Sequence, residues 1–179
     1  TARFHMPGHK GKSFLGIEKY DITEISGADV LYSARGIIKQ SEENASQLFG
    51  TYKTFYSAEG SSLCIKAMLG TLLSDVNTNC RPKVLAGRNA HKAFIYACAL
   101  LDIDVEWMFS EGGSDLCSCT LSSEDVRKYL STGSDLPSAV YVTSPDYLGN
   151  ILDIKSIAEV CDEFDVPLLV DNAHGAYLH

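Results

Sequence analysis

Three groups of polar residues each follow a short apolar stretch that is typical of a β-strand. Gly60-Ser61-Ser62 follows the β-prone run 54–56, and His91 follows the run 83–86. Asp171 ends the last apolar run of the chain. Glycine lets a chain turn tightly, and hydroxyls with free amides at a helix start can hold a phosphate dianion. An imidazole can stack on an aromatic ring or transfer a proton, and a carboxylate suits a protonated pyridine nitrogen.

Each group also has a simpler structural interpretation. Ser61 could only cap a helix, and His91 could be a water-exposed residue at a helix start. Asp171 could be a helix cap or a metal ligand, and His174 lies close to it in sequence. No third ligand occurs at the spacing of a metal site, so we predict no metal. The loop 144–149 could line a pocket or be a turn. The order of the three groups is more specific than any one of them.

These groups need a scaffold that brings the ends of successive strands together. Strands are predicted at 54–56, 83–86, 104–109, 139–143 and 166–171. A helix is predicted to start near Ser41, and further helices are predicted at 63–69, 91–101, 122–130 and 154–164. Such alternation indicates βαβ units and a mainly parallel sheet in an α/β fold. Open sheets of this kind bind ligands beyond the carboxyl ends of their strands. We therefore expect the three groups to share one site.

Length, charge and composition limit the classes of function that this chain can have. The 179 residues suffice for one domain with a sizeable core. The formal net charge of -8 disfavours nucleic acid or an anionic membrane surface as a partner. No apolar run approaches the 18 or so residues of a membrane helix. The six cysteines do not have the spacing of a zinc site. Cys64, Cys98 and Cys161 lie in apolar, helix-like stretches that suit reduced core thiols, which predicts a cytoplasmic protein.

The combined pattern resembles the Orn/Lys/Arg decarboxylase family of the fold-type I pyridoxal-phosphate (PLP) enzymes. The matching segments are Phe4–Gly11, Asp21–Glu24, Gly60–Ser62, Arg88–Lys92 and Asp171–Gly175. The resemblance implies the three-layer α/β major domain of that fold type, with a mainly parallel sheet that is incomplete in this chain. Residues 1–40 would be an N-terminal arm, and residues 41–179 would be the first portion of the PLP-binding domain.

The resemblance also implies PLP as the cofactor and gives roles to seven residues. They are Gly60, Ser61, Ser62, His91, Asp171, Ala173 and His174. The first three would hold the cofactor phosphate. His91 and Ala173 would pack on opposite faces of the ring, and Asp171 would pair with the ring nitrogen. His91, Asp171 and His174 would be the catalytic residues of this chain, with His174 at the cofactor rim.

The implied reaction is decarboxylation of a basic L-amino acid, lysine, arginine or ornithine, to its amine and carbon dioxide. The protein that contains the chain is expected to be a homo-oligomer. Two alternatives stay open. The reaction could be another one of the fold type, such as aminotransfer or carbon–sulfur lysis. The chain could instead be a non-catalytic remnant that serves only in assembly or regulation.

Three departures from the family pattern carry expectations of their own. The family usually has Glu where this chain has Asn172, and Thr where it has Asp146. The Asp146 carboxylate could repel an anionic ligand group or bind a basic side chain. The family also has a lysine in a later Ser-x-His-Lys segment, which binds the cofactor covalently. No lysine follows Lys155 here, so we expect this chain alone to be inactive, with a hole in its sheet or an exposed sheet edge.

Overall fold

The computed structural model describes residues 6–21, 27–72, 81–113, 115–133 and 135–176. It contains two compact units, Thr1–Ala58 and Glu59–His179. Three parts of the sequence interpretation lie outside the described residues: Phe4 and His5, the segment 22–24, and Cys80.

The first unit contains a short 3-10 helix, Glu18–Tyr20, and the helix α1, Ile37–Phe49. The sequence predicts a helix start near Ser41, and α1 begins four residues earlier, directly after Gly36. It ends at Gly50, which has a left-handed φ of 63° and donates its N–H to the Ser46 carbonyl. Glycine adopts this conformation without steric cost, which explains where the helix ends.

The strand predicted at 54–56 is wrong, because these residues belong to no strand. The backbone N–H of Tyr56 donates to the buried carboxylate of Glu42 in α1 (2.9 Å), and its hydroxyl donates to the Ser41 carbonyl (3.0 Å). The Phe55 side chain is 69% exposed. β-propensity expresses packing against neighbouring strands, and here a helix supplies the hydrogen bonds instead.

The second unit alternates strands and helices as the sequence predicts. Its elements in chain order are α2 (Gly60–Leu72), β1 (Lys83–Gly87), α3 (Lys92–Leu101), β2 (Asp104–Met108), α4 (Ser123–Thr132), β3 (Ala139–Thr143), α5 (Ile154–Glu163) and β4 (Leu168–Asp171). Within the described residues the strands form one parallel sheet of order β2-β1-β3-β4. This confirms the α/β fold with a parallel sheet.

Each face of this sheet has its own apolar core. Val84 of β1 and Tyr141 of β3 pack with Phe94 on the side of α2 and α3. Leu85 and Val140, the neighbours of those strand residues, pack on the opposite side with the buried side chains of α4 and α5. Successive side chains of a strand point to opposite faces. The central strands are therefore apolar at nearly every position, as the layered fold requires.

The sheet is continuous across its four described strands. β3 lies between β1 and β4, and β4 pairs only with β3 among the described residues. The expected hole in the sheet is therefore not found between these strands, and β4 is an edge strand. Thr143 of β3 is the direct neighbour of Asp171 of β4, because the two residues share one register position.

Two further sequence expectations concern the thiols and the membrane. Cys98 and Cys161 are buried, and burial raises the pKa of each thiol to about 11. Cys64 is exposed rather than part of the core. In the part of the chain that the structure describes, no helix has the length and apolar character needed to cross a membrane.

Candidate functional site

A cavity of about 410 Å³ lies beyond the carboxyl ends of β3 and β4. The residues that line it come from four separate parts of the chain and are Ser61, His91, Thr143, Tyr147, Asp171, Ala173 and His174. The strands are parallel, so their carboxyl ends meet at one edge of the sheet, where ligands bind in open α/β folds. The cavity thus unites five of the seven residues to which the resemblance gives roles. Gly60 and Ser62 flank Ser61 but are not among the lining residues.

Asp171 ends β4 with a carboxylate that is only 6% exposed. One oxygen accepts the hydroxyl of Tyr141 (3.0 Å), and the other accepts the backbone N–H of Ala173 (3.1 Å). Both donors are neutral, and no ion pair reaches this carboxylate within the described residues. Burial of an uncompensated charge is costly. A cationic N–H in the cavity would therefore suit Asp171 well.

His91 occupies the N-cap position of α3. Its Nδ1 accepts the backbone N–H of Ala93 (3.2 Å), which fixes the ring at the cavity wall. Because Nδ1 is an acceptor, the neutral ring carries its proton on Nε2. His91 therefore both caps α3 and lines the cavity. Its side chain is half-buried rather than fully exposed to water.

The Gly60-Ser61-Ser62 turn forms the first residues of α2. Gly60 has a left-handed φ of 67°, and a Cβ at this position would meet no atom within 4 Å. The backbone conformation, rather than lack of space, is what favours glycine here. Ser61 lines the cavity at the positive end of the helix dipole. This is the geometry in which helix starts bind anions.

Tyr147 and His174 form an aromatic pair at the mouth of the cavity. Their rings meet edge to face with centroids 4.8 Å apart. Tyr147 comes from the loop after β3 and His174 from the segment after β4, so the pair joins the two strand ends. The sequence indicates that the loop 144–149 could line a pocket, and Tyr147 is the residue that does so.

Asp146 lies in the same loop but does not line the cavity. It is 4% exposed and accepts hydrogen bonds from the Ser118 hydroxyl (2.7 Å) and the Asn150 amide (2.9 Å). Its other oxygen accepts the backbone N–H groups of Leu148 and Asn150 (2.9 Å each). Burial alone would raise the pKa of Asp146, but these hydrogen bonds outweigh it and the pKa lies below its usual value. Asp146 therefore fixes the loop rather than contacting a ligand.

Replacement of Asp146 by alanine should destabilise the protein by about 2 to 3 kcal/mol, because charged hydrogen bonds are lost and buried donors become unpaired. The carboxylate has a lowered pKa in the folded state. Its contribution is therefore complete above about pH 5 and is lost as the pH falls below about 4. Urea unfolding of wild type and D146A across this range should show the stability gap shrinking with acid.

Asp162→Ala is the matched control for this prediction. Asp162 is an exposed acid, and its removal should change stability by less than about 0.5 kcal/mol. A gap between wild type and D146A that stays constant down to pH 2.5 would show that the carboxylate charge does not stabilise the loop.

Gly175 allows the segment after β4 to approach the loop after β3. A Cβ at this position would overlap the Asn172 side chain and lie 2.6 Å from Cδ of Pro145. The Asn172 amide can rotate away, but the ring of Pro145 cannot. Gly175→Ala should therefore cost about 1 to 3 kcal/mol in urea unfolding, as overpacking does. Gly112→Ala is the control, since a Cβ at Gly112 meets no atom within 4 Å; equal effects of both variants would refute the steric reason.

Three residues of this region were not among the predicted site residues: Thr143, Tyr147 and Tyr141. Thr143 could have been found as the last residue of its strand, directly before the Ser144-Pro145 turn. Tyr141 carried no signal, because a tyrosine within an apolar strand is typical of a core.

Two larger grooves, of about 500 and 690 Å³, lie on polar surfaces at α1 and at α4 and contain none of the seven predicted residues.

The complete chain, residues 1–179, matches the family described as "Orn/Lys/Arg decarboxylase, major domain". It is 32% identical to an arginine decarboxylase of Bacillus subtilis (strain 168) over 99% of this chain and 37% of that protein. It is 30% identical to an arginine decarboxylase of Bacillus cereus over 99% of this chain and 40% of that protein. The chain thus spans about two fifths of the length of these curated relatives.

Solved structures show the same fold at low sequence identity. Mouse CSAD in its apo form has a TM-score of 0.62 and 17% identity over 84% of this chain and 36% of that chain. A GDP-4-keto-6-deoxymannose-3-dehydratase with a trapped PLP-glutamate geminal diamine has a TM-score of 0.57 and 17% identity over 75% of this chain and 33% of that chain. The architecture is that of the fold-type I PLP-dependent enzymes.

Proposed function

We propose, from the premise that the chain belongs to the Orn/Lys/Arg decarboxylase family over residues 1–179, that the protein containing it is a PLP-dependent decarboxylase of a basic L-amino acid. The observation that carries the proposal is the cavity at the sheet edge. It joins Ser61 at a helix start, His91 at a second helix start and the buried Asp171 at a strand end. An anion-binding turn, a flat ring and an uncompensated carboxylate are the three partners that a phosphorylated pyridinium needs.

The residues of this cavity would divide the work among the parts of the cofactor. The Ser61 hydroxyl and the amides of the Gly60–Ser62 turn would bind the phosphate. His91 would lie against one face of the ring, and the Ala173 methyl group against the other. Asp171 would accept the N–H of the ring nitrogen and so keep that nitrogen protonated. His174 would lie at the rim, where its contact with Tyr147 fixes its ring.

When bound, PLP supplies an aldehyde that combines with the substrate amine and a ring that accepts the electron pair left by carbon dioxide. The chain's own contribution is to orient that ring and to keep its nitrogen charged. Asp171 is buried, so its charge acts in a medium of low dielectric constant, where it is more effective than in water.

Arginine is the first substrate to test, because several curated relatives, at 30 to 32% identity, are named arginine decarboxylase. The purified full-length protein that contains this chain should be incubated with PLP and arginine, lysine or ornithine in separate reactions. We expect carbon dioxide and the corresponding amine, with agmatine from arginine in greatest yield. A 2-oxo acid would indicate aminotransfer, and PLP binding without any product would favour a non-catalytic remnant.

The covalent cofactor-binding lysine is expected outside the segment 156–179, which contains no lysine. Borohydride reduction of the PLP-loaded full-length protein, followed by peptide mapping, should place the reduced adduct on a lysine that is not in this chain. A specific adduct on one of this chain's lysines, together with turnover by the isolated chain, would contradict this expectation.

A further inference from the structure

Tyr141 reaches Asp171 from inside the protein rather than from the cavity. It is a central residue of β3 and lies beside Leu169 of β4, two register positions before the strand ends. Its side chain is 0% exposed, and its ring packs on Phe94 with centroids 4.3 Å apart. From there its hydroxyl donates to Oδ2 of Asp171 at 3.0 Å.

The two hydrogen bonds to Asp171 leave a defined part of the carboxylate free. Tyr141 binds Oδ2 and the Ala173 N–H binds Oδ1. Each carboxylate oxygen can accept two hydrogen bonds, so each retains one lone pair. The carboxylate cannot rotate without breaking both hydrogen bonds. The two donors therefore fix the direction of the two lone pairs that remain free.

A phenylalanine would fill the same apolar space as Tyr141, so the hydroxyl needs a separate reason. A buried hydroxyl is costly unless it is hydrogen-bonded, and Asp171 is its partner. Burial, and then the nearby Asp171 charge, raise the pKa of Tyr141 far above its ordinary value. The hydroxyl therefore stays protonated over the working pH range and is always the donor in this pair.

We propose that Tyr141 is a positioning residue for the cofactor's ring nitrogen: its hydroxyl, together with the Ala173 N–H, fixes the orientation of the Asp171 carboxylate at the cavity. This inference rests on the proposed function, because it takes Asp171 to face the PLP ring. With the carboxylate held in this orientation, its free lone pairs can accept the N–H of the ring nitrogen. The proton shared between Asp171 and the ring nitrogen then remains on the nitrogen, where it strengthens the ring as an electron acceptor.

The test uses the full-length protein loaded with PLP that carries ¹⁵N in the ring. In Tyr141→Phe, the ring-nitrogen NMR signal at pH 7 should move from its wild-type position towards that of an unprotonated pyridine. The dissociation constant for PLP should rise about tenfold, the effect expected when one hydrogen bond to a charged group is lost. A merely structural role of Tyr141 would not move the nitrogen signal.

Tyr129→Phe is the matched control. The Tyr129 hydroxyl also makes one hydrogen bond, as acceptor from the Phe109 N–H (3.0 Å), and Tyr129 does not line the cavity. This variant loses one hydroxyl of the same unit and should leave the nitrogen signal and PLP affinity as in wild type. If Tyr141→Phe folds poorly, 3-fluorotyrosine at position 141 keeps the hydroxyl as a stronger donor and should leave the nitrogen signal at its wild-type position. A shift towards unprotonated pyridine in this variant would contradict the proposal.

A double-mutant cycle with Asp171→Asn separates the possible failures. If Tyr141 acts through Asp171, adding Tyr141→Phe to Asp171→Asn should change PLP affinity by less than about twofold. If Tyr141→Phe weakens PLP binding as much in the Asp171→Asn protein as in the wild type, the inference is wrong. It is also wrong if Asp171→Asn weakens PLP binding and Tyr141→Phe does not. If Asp171→Asn itself changes neither the signal nor the affinity, the proposed cofactor site is wrong.

Discussion

Replacing Asp171 by asparagine should lower the proposed decarboxylase activity of the full-length protein by about 10- to 1,000-fold. A nearby opposite charge shifts a pKa by roughly 1 to 3 units, and a neutral amide removes that effect from the ring nitrogen. The ring would then be largely unprotonated at neutral pH and would accept electrons poorly. Asparagine has nearly the same shape, so the fold should be retained. Steady-state kinetics at saturating PLP, with the PLP dissociation constant measured separately, check this prediction.

Asp162→Asn is the control for Asp171→Asn. Asp162 is exposed, so the variant removes the same charge from the same unit without touching the cavity. It should retain wild-type kinetics. Full activity and unchanged PLP affinity of the Asp171 variant would show that this carboxylate does not face the cofactor, and the proposed function would lose its main support.

Phe94→Ala should produce the largest loss of stability, about 3 to 5 kcal/mol, as is typical when a buried aromatic side chain is truncated. Phe94 is 0% exposed and packs on Tyr141 and on Trp107, with ring centroids 4.3 and 6.0 Å away. The variant leaves a cavity directly beneath Tyr141. We therefore expect weaker PLP binding as well, although Phe94 does not line the site.

Phe109→Ala gives the comparison for Phe94→Ala, because the Phe109 side chain is 50% exposed. Truncation of Phe109 should cost less than about 1.5 kcal/mol, because only about half of its apolar surface is buried in the folded protein. Urea unfolding of both variants of the full-length protein measures the difference. Equal losses would mean that Phe94 is not packed as the structure has it.

Strand and helix positions in the second unit followed from the sequence, because hydrophobic pattern and caps agree there. β3 has the predicted bounds, Ala139–Thr143. α4 begins directly after Ser122, where Ser122 and Asp125 exchange the two hydrogen bonds of a capping box. Local signals of this kind act within a few residues and need no tertiary information.

The run 54–56 shows where local signals fail. Its residues favour a strand, but a strand is stable only beside a partner strand, and the backbone N–H of Tyr56 donates to the helical residue Glu42 instead. The composition of a three-residue run does not reveal which long-range partner it finds. The loop residue Asp146 illustrates the same limit, since its partner Ser118 lies 28 residues earlier in the chain.

The sequence by itself determined which chemical groups are available: a Gly-Ser-Ser turn at Ser61, an imidazole at His91 and a carboxylate at Asp171, each after an apolar run. It also predicted one shared sheet edge, because parallel strands place their carboxyl ends together. Only the tertiary structure decided how Asp171 is held. The hydroxyl of Tyr141 reaches it across two paired strands, and such a contact depends on strand order and register, which no local pattern specifies.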